Sequence, residues 1–501
     1  MKLDIKKLGV VIAKYCFLLF TILYAVGNIF FTVRQFNIDD NRANYLFGIN
    51  LIQIVLVAII FVGIYHLIKK NYYNLDDKKF IIVFLIVASV VGLYWVLSNP
   101  QELVNYSDDY NCLRAARIVG SGDYGPLGYK TYINTYPHNL TLVSYFMIFT
   151  RLFGESANIM IRLANLVFMI IGYYSLYKIG DELYANRSIN NTLIILMFLS
   201  MQLVFYSFYI YGNVLSYAMA LFSVWMFIKY FKEERMRYLI ISMLAIIFSA
   251  TIKNNSLIIL VAEIIYLIIH TIDKKKFIIV LLIVATLGIQ YLSTSGVVNF
   301  WAKRADYDYS NRLPKICWIA YGLNYDERHP GGYMNEFELY HYENGFNPEF
   351  TEARVKTFIE GVLENFKEKP YLIPKFYAQK FLVSFANPEY ETFGQYRDLE
   401  LNAFNASVVY GDINDALNQI WDATSTLVAI GLLVYLFKNF KNITLLELIG
   451  GVIVFGGFLF HSFWEVKAIY TYQYFMYLLP YAAYGLVLLC DNKKEVKQCN
   501  I

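Results

Sequence analysis

The sequence predicts an all-α integral membrane protein, and three observations carry that expectation. Of its 501 residues, 58% are hydrophobic and only 16% are charged, where a soluble domain carries about 25% charged residues. The apolar residues gather into runs that reach or approach the ~20 residues a helix needs to cross a bilayer. Lysines and arginines gather between those runs, in alternate loops, which is the asymmetry that sets orientation.

Taken in order, the runs are 8–33, 45–68, 80–98, 158–180, 191–210, 212–231, 237–252, 255–271, 276–294, 421–438, 444–463 and 467–490. That is about twelve spans at ~20 residues per crossing. The first run is too long for a signal-peptide core and lacks a small-residue cleavage site, so it reads as a retained span. The cytoplasmic side is marked by Lys2, Lys6 and Lys7, then by Lys69, Lys70, Lys78 and Lys79. Lys229, Lys232, Arg235 and Arg237 follow, then Lys274, Lys275 and Lys276, then Lys438 and Lys441, then Lys493, Lys494 and Lys497. Alternation leaves 99–157 and 295–420 outside, in a multi-pass protein of the plasma membrane.

Leu140–Phe153 is apolar but short. A crossing there flips every later basic loop, so it reads as a helix lying on, or dipping into, the outer face; the alternative is a true crossing compensated by splitting or merging two later runs. The chain then has three parts. Residues 1–294 form a transmembrane module with an acidic outer loop, 99–157; 295–420 form an outer subdomain; 421–501 supply the last spans and a cytoplasmic tail. In the outer subdomain Val355, Phe358, Ile359, Val362, Leu363 and Phe366 recur at helical spacing. Glu349 and Glu352 fit the start of that helix, and Lys367, Lys369 and Pro370 its end. A second helix is expected over Pro374–Ala386, with Pro in its first turn. The subdomain is therefore mainly helical.

Composition also excludes. The net charge is +4, and no basic patch interleaved with aromatics suggests a nucleic-acid surface. The 45 Tyr and 39 Phe suit membrane interfaces and sugar-stacking surfaces alike. Cys16, Cys112, Cys317, Cys490 and Cys499 have no metal-like spacing. Cys112 and Cys317 both fall outside, where a disulfide between them is permitted.

The stretch Asn105–Leu140 holds the chemistry. Asp108 and Asp109 follow the apolar run Phe80–Leu97. Such a pair is too costly for hydrocarbon and belongs at the boundary or in a wet cavity. One carboxylate can take a proton from an attacking hydroxyl while the other orients the acceptor. The plainer reading is a helix start, with Ser107 or Asp108 as cap and acid in the first turn. Tyr136, His138 and Asn139 follow in a Pro-containing motif. Glu465 stands at the outer end of the penultimate span. Lys253, Arg162 and Lys380 stand toward the same side, where snorkelling or structural roles suit each of them.

The order of these pieces resembles the GT-C glycosyltransferases, in particular the protein O-mannosyltransferase and aminoarabinose-transferase branch of bacterial cell envelopes. The resemblance rests on Asp108-Asp109 in the first outer loop, Tyr136-Pro137-His138-Asn139 before a juxtamembrane helix, and Arg162-Leu163 opening the next span. Tyr211-Gly212-Asn213, Lys253-Asn254-Asn255, Trp318–Leu323 with Gly331-Gly332-Tyr333, and Trp464-Glu465 before Pro480 add to it. It implies a GT-C-like bundle with juxtamembrane helices on the outer face. It implies a sugar donor on a polyprenyl phosphate, and a glycan, glycolipid or protein acceptor whose hydroxyl attacks with inversion. Asp108 is then the base, and Asp109 positions the acceptor. Lys253, Arg162 and Lys380 meet the donor phosphate; Tyr136, His138, Asn139 and Glu465 meet substrate. No cofactor is called for, although an acid pair can hold a divalent ion weakly.

The chain departs from the branch in four places. Tyr136-Pro137-His138 stands for Lys-Pro-Pro, and Asp109 for Glu. Ala468-Ile469-Tyr470 stands for Ser-Arg-Tyr, which removes a bidentate cation. Two spans, 8–33 and 45–68, precede the one leading to the acid loop. The rival reading is a transporter or a flippase of lipid-linked sugar, but no repeated halves are visible and the polar groups gather on one face. A non-catalytic membrane partner or receptor leaves the acid pair without a task.

Overall fold

The computed structural model describes residues 5–37, 42–48, 50–69, 75–99, 107–274, 278–326, 329–396 and 399–490. Lys2, Lys70, Lys275, Lys276, Lys493, Lys494, Lys497, Cys499 and the loop residues 100–106 lie outside the described residues. The chain is almost wholly helical. Among the described residues, ten helical segments are long and apolar enough to cross a membrane, or eleven if Arg187–Leu199 and Gln202–Phe208, bent by 50°, form one span. The protein is thus a multi-pass membrane protein. The expected count was about twelve; Met236–Ile252 is apolar but shorter than the other spans.

In chain order the first elements are α1 (Ile5–Phe30), β1 (Phe31–Asn37), β2 (Arg42–Phe47), α2 (Leu51–Lys69) and α3 (Asp77–Ser98). The hairpin is a departure from the all-helical expectation. Its strands pair antiparallel from Phe31 opposite Phe47 to Asn37 opposite Arg42. Arg34 fixes it to the bundle, donating Nη1 to Asp422 Oδ1 at 2.9 Å. On α2, the buried Gln53 donates to Asn28 O at 2.9 Å and Thr426 Oγ1 at 2.5 Å. A polar side chain on a lipid-facing helix is stable there because neighbouring helices satisfy it.

Next come α4 (Asp108–Gly120), α5 (Tyr132–Thr135), α6 (Leu140–Phe153) and α7 (Ala157–Tyr184). Then follow α8 (Arg187–Leu199), α9 (Gln202–Phe205), α10 (Asn213–Glu233), α11 (Met236–Ile252), α12 (Leu257–Lys274) and α13 (Ile278–Ala305). The apolar stretch Leu140–Phe153 is α6, a helix of 14 residues. Leu140, Val143, Phe146 and Met147 are buried, while Ile148 and Leu152 are exposed.

The polar insert holds α14 (Ile316–Gly322), α15 (Glu336–Glu343), α16 (Pro348–Glu368), α17 (Leu372–Ser384) and α18 (Ala403–Tyr410). Asn347 caps α16, accepting from Glu349 N and Phe350 N, so the helix starts at the expected place. The second expected helix is α17, which begins two residues before Pro374. The insert has its own small core of Leu313, Cys317, Ala320, Tyr321, Phe337 and Val355. Cys317 is buried there and Cys112 in the main core; both are free thiols, so they do not pair. The chain closes with α19 (Asp412–Asn439), α20 (Ile449–Phe463) and α21 (Ala468–Cys490).

Candidate active site

Ser107 starts α4. Its Oγ accepts from Tyr110 N at 3.3 Å and donates to Asp109 Oδ1 at 2.5 Å. Asp109 Oδ1 also accepts from Tyr110 N at 3.0 Å. Asp109 is therefore folded back on the helix start and buried, an arrangement that satisfies orphan N–H groups and favours negative charge there. Burial raises its carboxyl above the ordinary aspartate range, and the Ser107 hydrogen bond opposes that rise. Asp108 has a different surrounding. It is half-buried and lines a cavity of about 500 Å³. The two acids are adjacent in sequence but not equivalent in space.

Tyr136, His138, Glu465, Lys467 and Glu338 line the same cavity, together with Tyr211 and Trp318. Tyr136, His138 and Trp318 meet edge to face, with centroids 6.1 to 6.2 Å apart. Tyr136 donates to Glu338 Oε2 at 3.0 Å, and Tyr333 donates to the same oxygen. Asn139 lies behind the wall. Its Nδ2 donates to Tyr132 Oη at 2.9 Å and Tyr211 Oη at 3.1 Å, which fixes two lining rings.

Lys253 follows α11 and sits over the Tyr211 ring, Nζ 3.1 Å from the centroid. The turn before α10 makes this approach possible. Gly212 has φ +83°, and a Cβ there would lie 2.8 Å from Ile252 Cγ2 and 3.8 Å from Lys253 Cε; both the conformation and the space call for glycine. Burial lowers the Lys253 ammonium to about 7, against the pull of the Asp108 charge. Lys253 is thus electrostatically coupled to Asp108 without lining the cavity itself.

The structure does not bring Arg162 and Lys380 into the cavity lining. Arg162 is fully buried, donates Nη1 to Asn99 O at 2.7 Å, and stacks 3.5 Å from the Phe208 centroid. Lys380 directs Nζ to three carbonyls, Gly322 O at 2.6 Å, Trp464 O at 3.0 Å and Ser462 O at 3.2 Å. It staples the insert to the α20–α21 connection. Two backbone bonds complete that seam, Glu465 N to Trp318 O and Val466 N to Gly331 O, both 2.9 Å.

The seam delivers a cation that sequence reasoning missed. Lys467 enters the cavity two residues after Glu465. Burial alone lowers its ammonium, but Glu465, Glu391 and Asp108 hold it above the ordinary lysine value. Burial raises the Glu465 carboxyl, and Lys467 opposes that. Its signal in the sequence was a lysine flanking an apolar run, which looks like any interfacial lysine. Glu338 was missed for a different reason: an acid in a polar insert carries no signal. Among the described residues no group of three His, Cys, Asp or Glu side chains is placed to hold a metal ion.

The arrangement can hold an anion near Lys253 and Lys467, hydroxyls near Glu465 and Glu338, and a sugar ring against Trp318 or Tyr136. Residues 141–293 match the family of dolichyl-phosphate-mannose-protein mannosyltransferases. That segment includes Arg162, Tyr211 and Lys253; the two aspartates and Glu465 lie outside it. Among curated proteins, no sequence matches the chain. Among solved structures, the oligosaccharyltransferase of Archaeoglobus fulgidus, tethered to an acceptor peptide with an NVT sequon, aligns at 11% identity and a TM-score of 0.40. The alignment covers 84% of this chain and 50% of that one. The arabinosyltransferase EmbB of Mycobacterium smegmatis aligns at 11% identity and a TM-score of 0.33, covering 87% of this chain and 44% of that one. The chain thus spans half the length, or less, of these two proteins. The family match supports a membrane glycosyltransferase, and through α6 to α13 the chain resembles the GT-C mannosyltransferases.

Proposed function

We propose that the protein transfers a sugar from a polyprenyl-phosphate donor to an acceptor hydroxyl at the outer face of the plasma membrane. The observation that carries this reading is Asp108: a half-buried carboxylate in a polar cavity that also holds Glu465 and Lys467. The acceptor O–H gives its proton to Asp108. Its oxygen bonds to the anomeric carbon as the bond from that carbon to the phosphate oxygen breaks, with inversion. The leaving group departs as a phosphate, so no strong general acid is required. It needs cations against its charge, and Lys253 and Lys467 supply them. Arg162 and Lys380 act instead on the shape of the site, through the backbone carbonyls they hold. Tyr136, His138, Glu465 and Glu338 contact sugar and acceptor, Asn139 positions Tyr132 and Tyr211, and Asp109 holds the helix that presents Asp108. The acceptor class is a glycan, glycolipid or protein.

The cavity is built from chain segments that the basic loops assign to the outer side, which supports the placement. The test is Asp108→Asn in membranes with matched expression. Loss of a general base lowers transfer from polyprenyl-phosphate sugar by about 10²- to 10⁴-fold. Full transfer by the variant removes Asp108 as base; uptake or flipping by wild type without transfer favours the carrier reading.

A further inference from the structure

A second cavity, of about 790 Å³, runs between α6 and α13. Met147 and Leu152 of α6 and Leu292, Val297 and Phe300 of α13 give it apolar walls. Two cations also line it, Arg151 and Arg304. Arg304 is held in place: its Nε donates to Tyr124 Oη at 2.8 Å. Neither of its Nη groups hydrogen-bonds a described residue, and Arg151 forms no ion pair with one. The carboxylate nearest Arg151 in sequence, Glu155, faces Arg117 instead, at 3.8 Å. Trp301 ties the two helices together, Nε1 to Ser144 Oγ at 2.8 Å. At Gly296 an added Cβ would meet nothing within 4 Å, so the floor is open there.

Two exposed guanidinium groups without a carboxylate partner among the described residues, set beside apolar walls, offer an anion a charge-assisted seat. An anionic amphiphile answers both features, with charge-assisted bonds to its phosphate and apolar contact along its chains. The dimensions agree. Leu292 and Arg304 lie about 18 Å apart along α13 at 1.5 Å per residue, long enough to seat much of an acyl chain. Val119, the residue by which α4 lines the groove, is about 16 Å along that helix from Asp108.

We propose that this groove binds an anionic glycerophospholipid, with its phosphate on Arg151 and Arg304 and its acyl chains against α6 and α13. The site is separate from the transfer cavity, and its test does not depend on glycosyl transfer. Purified full-length protein in neutral detergent is examined by native mass spectrometry and thermal melting with phosphatidylglycerol or phosphatidylcholine of equal chains. Phosphatidylglycerol is expected to stay bound and raise the melting temperature; phosphatidylcholine is expected to do neither. Arg151→Gln with Arg304→Gln should weaken phosphatidylglycerol binding about tenfold or more, as for loss of charge-assisted phosphate contacts. Gly296→Leu, which fills the floor and leaves the charges, should weaken it as well and serves if the double variant fails to fold. Equal retention of both lipids, or an unchanged phosphatidylglycerol effect in the variants, overturns the proposal. So does displacement of the phospholipid by polyprenyl phosphate with a matching loss of transfer in the double variant, which makes the groove part of the donor site.

Discussion

Replacing Lys380 by Met tests whether this lysine holds the backbone or holds substrate. The structure gives its ammonium three carbonyl partners, at 2.6, 3.0 and 3.2 Å. Methionine keeps most of the side-chain volume and removes every donor. Each carbonyl left without a partner in a buried site costs ~1–3 kcal/mol, so three cost about 3 kcal/mol at the least. The assay is thermal unfolding of the detergent-solubilised protein, followed by donor saturation kinetics well below the melting point. A melting temperature lowered by several degrees, with less than a ~2-fold change in donor KM, is the expected outcome for a staple. Gly331→Ala should act in the same direction. Gly331 has φ +77°, and a Cβ there would lie 2.4 Å from Lys380 Cε. An unchanged melting temperature with a tenfold higher donor KM in Lys380→Met would refute the reasoning and return Lys380 to the phosphate.

Three further outcomes follow from the site. Burial brings Lys253 down to about 7, so its positive charge is present below that pH and lost above it; kcat/KM for the donor should fall as pH rises through the neutral range, and Lys253→Arg should flatten that limb because arginine stays charged. An identical limb in the variant excludes Lys253 as its origin. Glu338→Gln removes the charge that Tyr136 and Tyr333 share and should raise acceptor KM about tenfold with little change in melting temperature; unaltered kinetics remove Glu338 from the site. Gly212→Ala forces a strained turn and a 2.8 Å contact with Ile252, so it should lower kcat through displacement of Tyr211 and Lys253, measured against unchanged membrane insertion.

The spans were legible because hydrocarbon imposes a composition on them that needs no knowledge of partners. What the pattern misjudged were ends and breaks. The run 191–210 reads as one helix, but the chain bends by 50° between Leu199 and Gln202. α13 runs on to Ala305 and α19 starts at Asp412, since helices continue past hydrocarbon into residues a hydropathy pattern treats as loop. The hairpin was hidden because Phe31 and Val33 prolong an apolar run; its partner Asp422 is far away in sequence. In the site, Asp108 stood out because paired acids beside a span are rare. Glu338 and Lys467 did not, because their positions depend on tertiary bonds such as Glu465 N to Trp318 O. Lys380 and Arg162 were visible as charges, but a sequence cannot tell a cation spent on carbonyls from one left for a ligand.

The seam over Trp464–Lys467 has a consequence for engineering. Its acid and its cation belong to the C-terminal helices, yet their placement is dictated by Trp318, Gly331 and Lys380 of the insert. Specificity cannot be exchanged by grafting a relative's insert alone. A chimera that folds well but carries a mismatched border would point Glu465 and Lys467 elsewhere, so the two segments must be swapped as one unit.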